Sequence, residues 1–462
     1  MKMKRFYLLA IFFASTLVSF SQSLGYQDLG LLFSQNDQNG TARFTSMAGA
    51  FGALGGDLSS MNINPAGLSV FTNSLFTGTI NSRASNINSN YYNTNTNSQN
   101  QFINLSQIGA VLVFESAYSK DWSKFAIGFN YRIAKDFADS FVTEGNSGIT
   151  TFTEFPLDTN QDPIQYNIAD SQRFENNYGG NLSELNLGFS SVFQNSLHVG
   201  LSFNFYGLTF NQRATLYEFN SDIDGNELEA KLYQENFTTA GGFSANLGFI
   251  YKAHQNIRFG LSYQTPTWFS EIMEETNIVN NEGFNGDAEI SVSNDNVIYD
   301  NTTGNFFPTQ ELIYRFRTPS NLTASAAFIF GKNGLISIDY SHKGFNNIQL
   351  SGANFREENQ FFQNELRNTN NLNIGSEWRF DRFSVRGGYM FEQNPDKLSI
   401  NSDNITGYSF GGGYNFNNFK LDFSYRDNNR TGVYNFYSGF DVNSTELNIN
   451  NKIFTTTLTI SL

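Results

Sequence analysis

Cysteine is absent from the 462 residues of this chain, which removes disulfides, thiolate metal sites and cysteine nucleophiles together. Histidine is nearly as scarce, with three residues, so histidine-based catalysis has little material to work with. Basic side chains fall short of acidic ones, 28 against 42, and the formal charge of -14 excludes nucleic acid as a partner, whose phosphates demand a basic surface. After the first two dozen residues no apolar run approaches the ~20 residues of a spanning helix. What the chain does have is aromatic rings: 49 Phe and 22 Tyr accompany a mean hydropathy of -0.36. Many rings with net polarity fit strands that are greasy on one face only.

That pattern is explicit at the C-terminus, where Phe454, Thr456, Leu458, Ile460 and Leu462 alternate with Thr455, Thr457, Thr459 and Ser461. A strand with one apolar and one hydroxyl face, flush with the chain end, is how a transmembrane β-barrel closes. Leu197, Val199, Leu201, Phe203 and Phe205 repeat the period against His198, Gly200, Ser202 and Asn204. Read this way, the chain carries about fourteen strands joined alternately by short turns and long polar loops. The short turns fall near Glu115 to Trp122, Gln194 to Ser196, Lys252 to Asn256, Gly331 to Asn333, Asp381 to Arg382 and Asn417 to Asn418. The long loops are expected near Asn81 to Gln101, Asp136 to Ser183, Asn211 to Asn236, Pro266 to Ser320, Asn346 to Thr369, Asn394 to Asn404 and Asn428 to Asn448. Short turns belong in the periplasm, so both chain ends should lie there.

Met1 to Ser21 has a basic start (Lys2, Lys4, Arg5), an apolar run from Phe6 to Val18, and small residues Ser19 and Ser21, the layout of a signal peptide cleaved before Gln22. A retained anchor helix is the alternative. Residues from Gln22 to Phe71 lack alternation, are rich in Gly, Ala, Ser and Asn, and are too short for an independent domain. The fold expected is therefore all-β: a transmembrane antiparallel β-barrel of about 14 strands over residues 73–462, a small N-terminal hatch inside the lumen over 22–72, and a signal peptide over 1–21.

Within that segment Ala42-Arg43-Phe44 and Ser46 to Ala50 lead to Gly55-Gly56-Asp57 and then to Asn64-Pro65-Ala66-Gly67-Leu68. Further on come Ile257 to Pro266, Arg317 to Leu322, Asn373-Ile374-Gly375 and Arg386 to Tyr389. In this order the motifs resemble the FadL family of outer-membrane transporters. The resemblance implies a fourteen-stranded barrel in the cell outer membrane, plugged by its hatch, that carries long-chain fatty acids or similar hydrophobic molecules inward without energy coupling. It also implies that Asn64, Pro65 and Ala66 belong to the gate. The chain departs from the family in ending on Leu462 where an aromatic is usual, and its loops are too divergent to transfer ligand contacts.

Gly49, Gly52, Gly55 and Gly56 fit neither a dinucleotide fingerprint nor a phosphate loop, and close packing of a plug against a wall is the better reading. Pro65 would fix the local turn and Asn64 would satisfy backbone groups. Alternation assigns Arg132, Arg258, Glu377, Arg379, Arg386, Lys420, Asp422 and Arg426 to the lumen. Salt bridges that pin the plug are the bland reading. The sharper one is that Arg386 or Arg426 binds a fatty-acid carboxylate through guanidinium geometry. Trp268, Phe269, Ile272 and Met273, in the loop expected after Pro266, could form a landing site for a greasy ligand, or the loop could pack on itself. Trp122 and Trp378 fit the aromatic girdle. Ser341 and His342, adjacent on a strand, point to opposite faces and make no catalytic set.

These features point to passive uptake of a hydrophobic small-molecule ligand, with outer-membrane lipid and the barrel-assembly machinery as the other partners. No catalytic residue, metal or cofactor is expected, and no enzyme activity. A general porin, a haem or hydrophobic-ligand receptor and an adhesive or structural barrel remain the alternatives.

Overall fold

The computed structural model describes residues 24–116, 121–150, 154–155, 164–277, 289–292, 297–300, 309–436 and 442–462. The signal peptide and the cleavage point before Gln22 lie outside the described residues. Fourteen staves form one closed antiparallel sheet, and three of them are interrupted by a short break. They are β1 (Leu75–Tyr91), β2 (Thr94–Glu115), β3 (Trp122–Asp136, prolonged by Asp139–Gly145), β4 (Ile168–Phe193), β5 (Leu197–Ser221), β6 (Glu227–His254) and β7 (Ile257–Gln264, prolonged by Trp268–Asn277). The other half consists of β8 (Thr309–Arg317 and Asn321–Phe330), β9 (Gly334–Lys343), β10 (Thr369–Phe380), β11 (Phe383–Glu392), β12 (Ile405–Asn415), β13 (Phe419–Tyr434) and β14 (Thr445–Ser461). Closure is made by β1, which pairs with β2 on one side and with β14 on the other, from Leu75 opposite Ser461 to Asn90 opposite Glu446.

Among the described residues no helix is long and apolar enough to cross a membrane, and strands do the crossing. The outer face carries an apolar band with Phe129, Leu201, Phe205, Leu247, Leu261, Phe423 and Leu458 exposed, while the residues between them turn inward. One rim is ringed by aromatics: Trp378 stacks on Phe330 at 5.9 Å, and Phe416 on Phe419 at 4.6 Å. Trp122 and Trp378 both belong to this rim. Here the turns are tight, and Gln194, Asn195, Asp381 and Asn417 take the left-handed backbone conformation that closes them.

At the opposite end the sequence reading needs correction. The loops expected at Asn81 to Gln101 and Asn211 to Asn236 are mostly strand. β1 and β2 meet through Tyr92 and Asn93 alone, both left-handed, and β5 and β6 run 25 and 28 residues. The loop expected from Pro266 to Ser320 likewise contains four strand segments, Trp268–Asn277, Glu289–Val292, Val297–Asp300 and Thr309–Arg317. Polar Asn, Ser and Thr side chains continue the ladder where no lipid remains to demand apolar partners, so polarity alone misreads strand as loop.

Residues 24–71 pack against the inward-turned side chains of the sheet. They form helix α1 (Tyr26–Ser34), the short helix α2 (Ala42–Ser46) and two 3-10 turns at Leu58–Asn62 and Pro65–Val70. Their hydrogen bonds reach the wall all the way round. Ser59 donates to Gln107 on β2 and Asn64 to the Phe249 carbonyl on β6. Gly52 N–H donates to Asp339 on β9, and Ala42 N–H to Thr457 on β14. A third helix, α3 (Arg356–Glu365), follows β9 and buries Phe362 against Gly30 of α1.

Candidate functional site

The wall meets the inner segment through small residues. A Cβ on Gly200 would stand 2.3 Å from the Pro65 carbonyl carbon, and one on Gly248 only 1.9 Å from Asn64 Oδ1. Gly188 and Gly128 receive Met61 and Leu68, Gly260 receives Gly52, and Gly375 and Gly388 receive Met47 and Ala48. Strand glycines weaken a sheet and mark close backbone approach, and here they mark where the segment seats. Asn64 is buried and saturated: its Nδ2 donates to the carbonyls of Gly52 at 2.7 Å and Phe249 at 2.9 Å, while its Oδ1 caps the turn at Ala66 N–H. Pro65 opens that turn, and Ala66 has no solvent exposure. Gly55 takes positive φ, and a Cβ there would stand 2.6 Å from the Gly67 Cα, so the position admits no side chain.

A charge network ties the same segment to the wall near the aromatic rim. Glu377 on β10 receives three guanidinium groups: Arg43 of α2 and Arg386 of β11, both at 2.7 Å, and Arg379 through its Nε at 2.6 Å. Arg386 is fully engaged, with its other arms on Asp422 at 2.7 Å and Ser384 at 2.7 Å. Its side chain is 1% exposed and enclosed by this network. Lys420 completes the cluster at 3.1 Å from Asp422.

Above the segment, towards the long hairpins, the lumen opens into a chamber of about 1080 Å³ of empty space, part of it open to solvent. Its wall is mixed, apolar at Ile87, Phe137, Phe141, Met390, Leu447 and Ile453 and polar or charged at residues such as Asp37, Glu392, Asn428 and Asn451. Four cations border it. Arg83 is neutralised by Asp136 at 3.2 Å and Asp139 at 3.5 Å. Lys135, Arg426 and Arg430 form no ion pair among the described residues. Arg426 donates to the Gln38 carbonyl at 2.8 Å and leaves its buried Nε without a partner, as does Arg430. Lys135 Nζ holds the Leu32 carbonyl and Gln35 Oε1 at 3.1 and 3.2 Å. The two arginines singled out in the sequence thus part company: Arg426 faces the chamber and Arg386 does not.

The expected landing site is also rearranged. Trp268 and Phe269 lie on β7 and not in a loop, so they point to opposite faces. Trp268 is outside, 45% exposed, and Phe269 is inside, 2% exposed. Ile272 is buried and Met273 exposed in the same alternation, resumed after a register shift next to Phe269. Phe269 packs on Phe316 at 5.9 Å, within an apolar cluster that includes Phe33 of α1.

Lys135 and Arg430 were not singled out from the sequence. A register shift between Ile133 and Lys135 turns Ala134 and Lys135 inward together, which strict alternation from Arg132 forbids. Among the described residues no group of three or more His, Asp or Glu side chains converges as a metal site.

No protein-family model matches the chain, and no curated protein does. Solved structures do. A FadL homologue of Pseudomonas aeruginosa superposes with a TM-score of 0.57 at 13% identity, over 92% of this chain and 99% of that one. The toluene transporter TodX of Pseudomonas putida gives 0.53 at 15% identity, over 93% and 100%. CymD, a monoaromatic hydrocarbon channel, gives 0.52 at 13%, over 92% and 98%. A closed fourteen-stranded barrel that matches these channels from end to end has the fold of the FadL-type outer-membrane channels.

Proposed function

We propose that this protein takes up hydrophobic molecules with an anionic head, long-chain fatty acids foremost, by passive diffusion through the barrel. The observation that carries the reading is the chamber itself, where apolar side chains stand beside Lys135, Arg426 and Arg430, three cations that form no ion pair among the described residues and share the lining with Asp37 and Glu392. Aliphatic and aromatic walls take the tail, and Lys135, Arg426 and Arg430 take the carboxylate through charge-assisted hydrogen bonds. Residues 22–72 act as the hatch, with Asn64, Pro65 and Ala66 at its seat on the wall.

The same cations couple the ligand to the hatch. Lys135 and Arg426 now hold carbonyls of Leu32 and Gln38. An arriving carboxylate competes for those donors and, as the ionised acceptor, makes bonds about twice as strong. Residues 32–38 then lose their tether and the path below them loosens. Arg386 serves instead to pin the hatch through Glu377.

The similarity to channels named for toluene and monoaromatic hydrocarbons supports a second reading, in which the cargo is neutral. Binding of radiolabelled oleate by the purified protein decides between them. Replacing Arg426 with Ala removes a charge-assisted bond, a loss of about 1.5–3 kcal/mol, and should weaken oleate binding about ten- to a hundred-fold. Unchanged oleate binding in the variants Lys135→Ala, Arg426→Ala and Arg430→Ala, together with binding of toluene, would favour the neutral cargo.

A further inference from the structure

Residues Asn36, Asp37 and Gln38 border a second lumen chamber, of about 1030 Å³ counting the part open to solvent, on the side of β7 to β10. Its chemistry differs from that of the first. The cations in its wall are already matched, Arg132 with Glu184 at 2.8 Å and Lys343 with Glu392 at 3.2 Å. Asp37 accepts the Asp136 N–H at 3.4 Å. What remains unmatched is neutral and buried. Asn62 is 8% exposed, and neither atom of its amide has a protein partner. Ser34 Oγ and Asn371 Oδ1 are equally without one, in side chains 8% and 7% exposed, and Gln38 Oε1 and Asn321 Oδ1 join them.

Buried polar groups are ordinarily hydrogen-bonded, and the unmatched ones gathered on this cavity offer partners to an occupant. Oxygens predominate among them, which calls for a ligand rich in hydroxyl donors. Rings of Phe33, Phe44 and Phe269 flank the same space and offer apolar faces to C–H surfaces. No unspent positive charge is present for an anion, and the polar wall is wrong for a hydrocarbon tail.

We propose that this second chamber binds a small neutral polyol or sugar, at a site distinct from the first chamber. Saturation-transfer NMR on the full chain in detergent, titrated with D-glucose, tests it. The wild-type protein should give a saturable signal. The variants Asn371→Leu and Asn62→Leu should each weaken it about tenfold, with oleate binding changed by less than about twofold as proof of an intact barrel. Asn371 lies in the wall and Asn62 in the inner segment, so if the second variant fails to fold the first decides. No saturable glucose signal in the wild type means that the chamber holds water only and overturns the proposal. An equal signal in the variants places the sugar elsewhere and overturns it as well.

Discussion

At the scale of single residues, the lumen separates spent charges from unspent ones. Glu377 sits among Arg43, Arg379 and Arg386 with its side chain 1% exposed, so its removal strands buried guanidinium groups. Breaking a buried pair by deleting one partner costs about 3–5 kcal/mol, and Glu377→Gln should lower unfolding stability in detergent by that order. A change under about 1 kcal/mol in urea titration would show the network to be dispensable. Lys135, Arg426 and Arg430 stand at the other extreme, forming no ion pair among the described residues although Asp37 and Glu392 line the same chamber, which is why they and not Arg386 are proposed for the ligand.

Strands and segments carry the next level. Several glycines of the wall, Gly200 and Gly248 among them, leave room for the inner segment, and Gly200→Val tests this directly, since even its Cβ would collide with Pro65. The segment should unseat and the ion conductance of planar bilayers should rise well above that of the wild type. Conductance equal to wild type would mean that the segment does not close the path. The same strands show how much the sequence discloses. Period-two alternation locates the membrane-crossing halves and the tight turns of the aromatic rim, because lipid outside and water inside leave no freedom there. The outer halves were misread as loops, since they invert the pattern. Ile80 faces out and Ile87 faces in, seven residues apart, an odd spacing that reverses the face. On β14 Phe454 faces out while Ile453 and Leu447 face in, among outward Glu446, Asn448 and Lys452. This reversal marks the chamber and is legible once sought. Lys135 was hidden for another reason, since a bulge leaves no trace in periodicity.

On the scale of the whole molecule, one barrel holds three layers along its axis. Polar hairpins enclose a chamber, a buried segment fills the middle, and an ion network closes the rim with the tight turns. The arrangement passes a greasy molecule only if it enters the lumen chamber and displaces what lies beneath. The most direct test is photo-crosslinking with a diazirine-bearing fatty acid, followed by peptide mapping. The account predicts label on Ile87, Phe141 and Leu447, diminished by excess oleate and by Arg426→Ala. Label confined to outward residues such as Phe259 and Phe423, unaffected by either, would contradict it.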